Sequence, residues 1–384
     1  MDISIDNDYL VKTLTDLVRI NSINPSLSPG GAGEAAIGAY VAGAMRDLGL
    51  AVTTTEIEPG RVNVVGRLKG QGHGRSLLLN AHLDTVGVEG MEEPFSAAIR
   101  DGRLYGRGSY DMKGSLAAMI TAAKALTEAG VALAGDLLVT AVADEEYRSI
   151  GTADLVQRVH ADAAIVTEPT DLKLCRAHRG FIWYEVETLG RAAHGSRYNE
   201  GIDANMRMGR FLAQLDLLEQ ALRQRPPHPL AGPPSLHAAR LNGGTEISIY
   251  AARCLLQIER RTVPGETEAQ ATAELQAIID ELAADPTFKA SVRPIFQREP
   301  FEVAADTSIV AAVEEAAARH LGRRPAHIGQ TFWTDAALLA DAGIETVLLG
   351  PAGHGLHSAE EWVDLRSVAD LSHILAQTAA DFCG

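Results

Sequence analysis

The chain has 384 residues, 46% apolar and 22% charged, which suffices for large cores and for roughly two or three domains. Its 34 Lys and Arg against 50 Asp and Glu give a net charge of −16, which makes a poor nucleic-acid binder, because phosphate contacts need clustered Lys and Arg. Cys175, Cys254 and Cys383 are too few and too widely spaced for a disulfide framework, and no apolar run approaches the roughly 18 residues of a membrane span.

The opening MDISIDNDYLVKTL has no basic stretch followed by an apolar one, so a soluble cytoplasmic protein is expected. Residues 7–20 have helical periodicity, with Leu10, Val11, Leu14, Leu17 and Val18 on one face. NPSLSPGG reads as a loop, and 33–48 as a second helix closed by Gly49. AVTTTEIE and RVNVVGRLKG read as strands. In SLLLNAHLDTV, Leu77, Leu78 and Leu79 form the continuous apolar run of a strand buried on both faces. His82 and Asp84 come at its exit. Residues two apart on extended chain point the same way, so Asp84 can orient a metal-binding His82 from behind.

Asp111 lies in the Gly-rich turn YGRGSYDMKG. The apolar helix SLAAMITAAKALTEAG follows, with Ser115 suited to its N-cap. GDLLVTAVADEEY is a strand with Glu145 and Glu146 at its exit. After a helix over 152–159, AAIVTEP is another strand, with Glu168 at its exit. Much later, ETVLLGPAGHGLHSAEE is an apolar strand followed by a loop holding His354 and His357.

Between Arg179 and Arg293 the pattern changes. Strand FIWYEVETLG, a long amphipathic helix, strands PSLHAARLNGG and ARCLLQIERRTVPG, a second helix and strand FKASVRPIF follow one another. This β-α-β-β-α-β order is the split ferredoxin-like motif, inserted as a second domain into the first.

His82, Glu145, Glu146, Glu168 and His357 all follow apolar strand runs, and Asp111 precedes a helix. Open α/β sheets build their sites in the crevice beyond the carboxyl ends of the strands, so these groups can converge on metal. Taken singly, each has a plainer reading. Glu145-Glu146 is a solvated pair, Glu168 before Pro169 a turn residue, and His354 and His357 loop histidines.

Together the motifs AHLDTV (81–86), YGRGSYDMKG (105–114), DEEY (144–147), TEPT (167–170), AHGS (193–196), ERRTVPG (259–265) and GLHSAEEWV (355–363) carry a resemblance. The chain resembles the co-catalytic di-zinc metallohydrolases that include acetylornithine deacetylase, succinyl-diaminopimelate desuccinylase, aminoacylase and glutamate carboxypeptidase. The resemblance implies an α/β, zinc-peptidase-like catalytic domain of residues 1–178 and 294–384, with a mostly parallel sheet flanked by helices. Residues 179–293 would be an inserted lid and dimerisation domain.

The similarity further implies two Zn2+ per subunit, with Co2+ or Mn2+ as substitutes. His82 and Glu168 would bind one ion, Glu146 and His357 the other, and Asp111 would bridge them. Asp84 would support His82, and Glu145 would be the general base. His194 matches a histidine that relatives send into a neighbouring subunit's site, so a homodimer is expected. Read from its own surroundings, His194 caps a turn. Arg261 matches an arginine that holds a substrate carboxylate; its plainer reading is an ion pair on the strand surface with Glu259.

One departure bears on substrate. Gly243-Gly244 is followed by TEISIYAAR, so Ser248 stands where relatives commonly have a substrate-binding Asn. The implied activity is cleavage of an N-acyl amino acid at its amide bond. The alternative is a dipeptidase or glutamate-type carboxypeptidase on the same site. A silent binding protein of this fold would lack a ligand or the base, and neither is missing.

Overall fold

The computed structural model describes residues 3–384. In chain order, helices α1 (Asn7–Arg19) and α2 (Ala35–Asp47) precede strands β1 (Ala51–Glu58), β2 (Arg61–Leu68) and β3 (Leu77–His82). Helix α3 (Gly114–Glu128), β4 (Leu137–Val142), α4 (Ile150–Arg158), β5 (Ala163–Val166) and β6 (Leu174–His178) follow. An inserted run comprises β7 (Gly180–Leu189), α5 (Ala204–Gln224), β8 (Ser235–Gly243), β9 (Arg253–Thr262), α6 (Glu268–Leu282) and β10 (Lys289–Arg298). Helices α7 (Ser308–Leu321) and α8 (Ala336–Asp341), strand β11 (Glu345–Leu348) and helix α9 (Leu365–Phe382) follow the insertion.

The chain divides into two compact units. One holds the chain up to Arg176 with Val303–Ile328 and Thr334–Gly384, the other Ala177–Glu302 with Gly329–Trp333. The expected boundary at 293/294 falls inside β10, which continues to Arg298 because Arg298 still pairs with Phe181 of β7.

The first unit is built on a mixed sheet in the order β1-β2-β4-β3-β5-β11-β6. Strand β3 is parallel to both β4 and β5, and β5 is parallel to β11. Strands β3, β4 and β5 are buried along their whole lengths, which is why they are mainly apolar instead of alternating, and the buried Thr140 hydroxyl donates to Asn80 Oδ1 at 2.7 Å. Helix α3 is apolar almost all round and accordingly buried almost all round. It packs against α1 and α9 and against β3 and β4, while α2 and α4 cover β1 and β2. Ser115 is not an N-cap: it lies inside the first turn of α3, where its hydroxyl donates to the Thr167 carbonyl.

A small antiparallel sheet joins Ala98–Arg100, Arg103–Tyr105, Trp362–Asp364 and Gly353–His354. It fastens the segment before Asp111 to the segments flanking His357.

In the second unit the strand order is β8-β9-β7-β10, antiparallel throughout. Burial alternates along β7, and Ile182, Tyr184 and Val186 join Met208, Phe211 and Leu215 of α5 and Leu275 and Ile279 of α6 in one core. Helix α6 opens with a reciprocal capping box between Thr267 and Gln270.

Leu79 lies at the centre of β3 and is fully buried. Leu79→Ala should therefore cost about 2–5 kcal/mol in denaturant unfolding, the sum of lost transfer energy and a residual cavity. A loss below about 1 kcal/mol would show that the strand tolerates collapse around the gap.

Candidate active site

Because β3, β4, β5 and β11 run the same way, their carboxyl ends share one edge of the sheet. His82 ends β3, Glu145 and Glu146 lie just past β4, Glu168 just past β5, and His357 in the loop after β11. Asp111 enters from the turn before α3.

Asp111 sits between the two histidines. Its Oδ1 is 3.1 Å from His82 Nε2, and its Oδ2 is 3.4 Å from His357 Nε2. Glu168 Oε1 lies 4.0 Å from His82 Nε2, and Glu146 Oε2 lies 3.0 Å from His357 Nε2. One ligand atom each from His82, Glu145 and Glu168 lie within 4.8 Å of one another, as do those of His82, Asp111 and Glu146. His354, by contrast, stacks on Trp362 with ring centroids 6.0 Å apart. His357 has φ +57°, a left-handed conformation that a non-glycine residue holds only when its surroundings enforce it.

The support behind His82 differs from the expected one. Its Nδ1 lies 2.8 Å from the main-chain carbonyl of Asp84, whereas the Asp84 carboxylate is 3.7 Å away. A carbonyl oxygen only accepts, so in the neutral ring Nδ1 carries the hydrogen and Nε2 keeps its lone pair for a metal. The Asp84 carboxylate accepts instead from the main-chain N–H groups of Glu145 (3.1 Å) and Glu146 (3.2 Å).

Burial opposes charge throughout this cleft. Glu145 and Glu168 are pushed well above the ordinary carboxylate range by burial first. Glu168, Asp335 and Glu146 add to the shift at Glu145, and Asp111, Glu146 and Asp335 at Glu168. Glu146 is raised by burial and then by Asp111. Burial also opposes ionisation of Asp111, but hydrogen bonds from His357 and His82 hold it well below its usual value. His82 is held well above 6.5, because Asp111, Glu168 and Asp84 outweigh its burial. His357 is pushed up to about 10 by its hydrogen bonds to Asp111 and Glu146.

Four clustered carboxylates and two imidazoles suit divalent cations of the zinc type. Glu146 Oε1 is buried without a hydrogen-bond partner, the condition of an oxygen waiting for a cation. The residues present therefore fit a metal centre.

Two buried groups that sequence reading passed over complete the site. Glu361 accepts from the main-chain N–H groups of Gly108 (2.9 Å), Tyr110 (2.9 Å) and Asp111 (3.1 Å) and from Arg107 (2.7 Å). It moulds the turn that presents Asp111. Asp335, at the start of α8, is raised to about 6 by burial and adds to the negative field on Glu145. Glu361 is one of a pair in AEEWV, and nothing in that string separates it from a solvated pair.

In the second unit, the His194 loop is zipped to the Ser248 loop. Gly195 N–H donates to the Ser248 carbonyl at 2.7 Å, and Tyr250 N–H to the Ala193 carbonyl at 3.0 Å. The exposed His194 ring accepts from Ser196 N–H through Nδ1 at 3.3 Å, with Ser196 Oγ 2.9 Å away. An N–H only donates, so Nδ1 is the bare nitrogen of the neutral ring and Nε2 carries the hydrogen. Arg261 pairs with Glu259 at 2.7 Å and lies over the Phe181 ring at 5.2 Å. It lines a cavity of about 580 Å3 with Trp183, His237, Arg240 and Ile295.

Fold and site together define a class, the α/β metal-dependent hydrolases. Comparison with known proteins supplies the family. The chain matches the model of peptidase family M20/M25/M40 over residues 78–381, and it belongs to that family. It is 29% identical over 381 residues to N-formyl-4-amino-5-aminomethyl-2-methylpyrimidine deformylase of Bacillus subtilis (strain 168), covering 90% of this chain and 89% of that protein. It is 31% identical over 332 residues to acetylornithine deacetylase of Myxococcus xanthus, covering 84% of this chain and 85% of the relative. The crystal structure of aminopeptidase PepT from Bacillus cereus ATCC 10987 shares the fold, with TM-score 0.81, 20% identity and coverage of 99% of this chain and 100% of that one. So does a dinuclear metal-binding M20 peptidase from Bacillus subtilis, with TM-score 0.77, 16% identity and 98% coverage of both chains.

The proton positions yield a pH prediction. His357 goes from 6.5 to about 10 on folding, and His82, Glu145, Glu146 and Glu168 shift in the same direction. In metal-free protein, the stability from His357 is complete below pH 6.5 and is lost as pH rises toward about 10. Calorimetry of metal-stripped protein should show Tm falling across that window. Metal-loaded protein should fall much less, because the cation takes the place of the protons. Parallel declines in both forms would mean that no metal binds among these groups.

Proposed function

We propose that this enzyme is a two-metal amidohydrolase that cleaves the amide bond of N-acyl amino acids, with Glu145 as general base. The observation that carries the reading is the division around Asp111. Its two oxygens face two separate histidines, each with its own glutamate, while Glu145 remains for proton transfer.

His82 and Glu168 would hold one ion, Glu146 and His357 the other, with Asp111 spanning both. Zinc suits the donors, with cobalt or manganese as substitutes, and such a pair polarises a carbonyl and acidifies a water. Glu145 takes the proton of the attacking water and passes it to the leaving amine. Burial and then the Glu168 charge raise its affinity for that proton. His194 Nε2–H donates to the carbonyl oxygen as charge develops there. Arg261 keeps guanidinium donors beyond its Glu259 contact for a substrate carboxylate, a task suited to its planar fork. Ser248 offers its carbonyl to the His194 loop, and we place it beside the substrate for that reason. The apolar lining of the Arg261 cavity, Trp183 and Ile295, favours a second reading: a dipeptidase or carboxypeptidase whose substrate carries a bulky residue.

A screen of N-formyl and N-acetyl amino acids, dipeptides and carboxylate-free amides, each with zinc, cobalt and manganese, separates these readings. Hydrolysis of the acyl amino acids before dipeptides is the expected result, and the reverse order selects the second reading. Glu145→Gln should retain both metals while turnover drops about 10²–10⁴-fold. Loss of metal in that variant would make Glu145 a ligand instead.

We further place the enzyme in the cytoplasm as a homodimer, with His194 acting in the partner's cleft. The edge strands β8 and β10 of the second unit each leave one side free to pair with a copy. Alone, His194→Ala should lower kcat about 10²–10³-fold. Mixing it with Glu145→Gln under subunit exchange should restore activity in part. A mixture that stays inactive although mixed dimers form would confine His194 to its own chain.

A further inference from the structure

A buried chain of polar groups runs from the N-terminal segment of the first unit to the turn that carries Glu145. Glu34, at the head of α2, grips Arg61 with both oxygens: Nε to Oε2 is 2.6 Å and Nη2 to Oε1 is 2.7 Å. Arg61 Nη2 also donates to Asp144 Oδ1 at 2.7 Å. The Asn24 amide donates to that same oxygen at 3.0 Å and to Asp84 Oδ2 at 2.7 Å. Asp84 in turn holds the main-chain N–H groups of Glu145 and Glu146. Asn24, Glu34, Asp84 and Asp144 are each 0–1% exposed, and Arg61 is 4% exposed.

This arrangement is costly as a means of stability. It buries three carboxylates against one guanidinium, and buried ion pairs rarely repay their desolvation. What it does fix is backbone shape. Asp144 has φ +67°, a left-handed conformation unfavourable for a residue with a Cβ. Arg61 and Asn24 clamp its carboxylate, and the next residue is Glu145. Asn24 spans two turns that are distant in sequence and sets their separation. Asn24, Glu34 and Arg61 all precede residue 78, where the family match begins.

We propose that Arg61, aligned by Glu34 and assisted by Asn24, is a positioning residue for the general base. It holds the Asp144 turn so that the Glu145 carboxylate points into the cleft. The proposal rests on the reading of Glu145 as the base.

The test uses full-length, metal-loaded Arg61→Lys, Asn24→Ala and Glu145→Gln, and the double variant of Arg61→Lys with Glu145→Gln. Lysine keeps the charge but cannot fork Glu34 while reaching Asp144. A base displaced by about 1 Å costs up to about 10²-fold, so Arg61→Lys and Asn24→Ala should each lower kcat by about tenfold or more. KM should stay within about threefold and metal content unchanged, because the substrate and metal contacts remain. The double variant should be no slower than Glu145→Gln alone, since residues acting as a unit are non-additive. A purely structural role would lower Tm and leave kcat alone at temperatures where the variant is folded. The proposal is overturned if the folded variants keep kcat within about twofold, if metal is lost in step with activity, or if the two losses multiply. Should Arg61→Lys fail to fold, Asn24→Ala carries the same comparison. An inactive Glu145→Gln beside intact Arg61→Lys and Asn24→Ala overturns this proposal alone. A fully active Glu145→Gln overturns the base assignment and the clamp together.

Discussion

The structure depends on an excess of buried negative charge. Asp111, Glu145, Glu146 and Glu168 meet at the end of three parallel strands, and His82 and His357 cannot neutralise all of them. Placing ionised carboxylates in a low-dielectric cleft is unfavourable unless protons or cations accompany them. The raised carboxyls and the raised histidines are two faces of that condition: without metal, the cluster holds on to protons. The same condition makes it receptive to divalent ions, whose binding releases those protons.

Such a cluster survives only where the backbone is held against its repulsion. Two further carboxylates do this by acting as templates for main-chain N–H groups. Glu361 gathers the amides of Gly108, Tyr110 and Asp111, and Asp84 gathers those of Glu145 and Glu146. Each is backed by a buried guanidinium, Arg107 directly and Arg61 through Asp144 and Asn24. The sheet delivers the segments that carry these carboxylates and histidines to one edge, and the templates set the last few ångströms.

The second unit is built on alternating burial instead. Its alternating strands bury one face against two helices and leave Trp183 and Ile295 beside Arg261 in an open cavity. The ring of His194 is fixed by its Ser196 contacts as a hydrogen-bond donor.

Much of this was legible in the sequence, for local reasons. Strands buried on both faces are mainly apolar, so Leu77–Leu79, LLVTAV and AAIV marked buried strands, and the polar residues after them pointed to a shared edge. The β-α-β-β-α-β alternation was equally plain, since its periods change from two to 3.6 and back. The tertiary structure alone decided which carboxylate does what. The spacing of His82 and Asp84 suggests a carboxylate behind the ring, yet the Asp84 main-chain carbonyl takes that place and the side chain holds the neighbouring turn. Glu361 and Glu145 each belong to a Glu-Glu pair, indistinguishable as strings, and one shapes a loop while the other stands beside His82 and Glu168. Helices α7 and α9 are amphipathic, with Ile309, Val310, Val313, Ala316 and Ala317 on the buried face of α7. Periodicity is a property of neighbours in sequence. The role of a buried charge depends on which distant groups fold up against it, and only the folded chain contains that information.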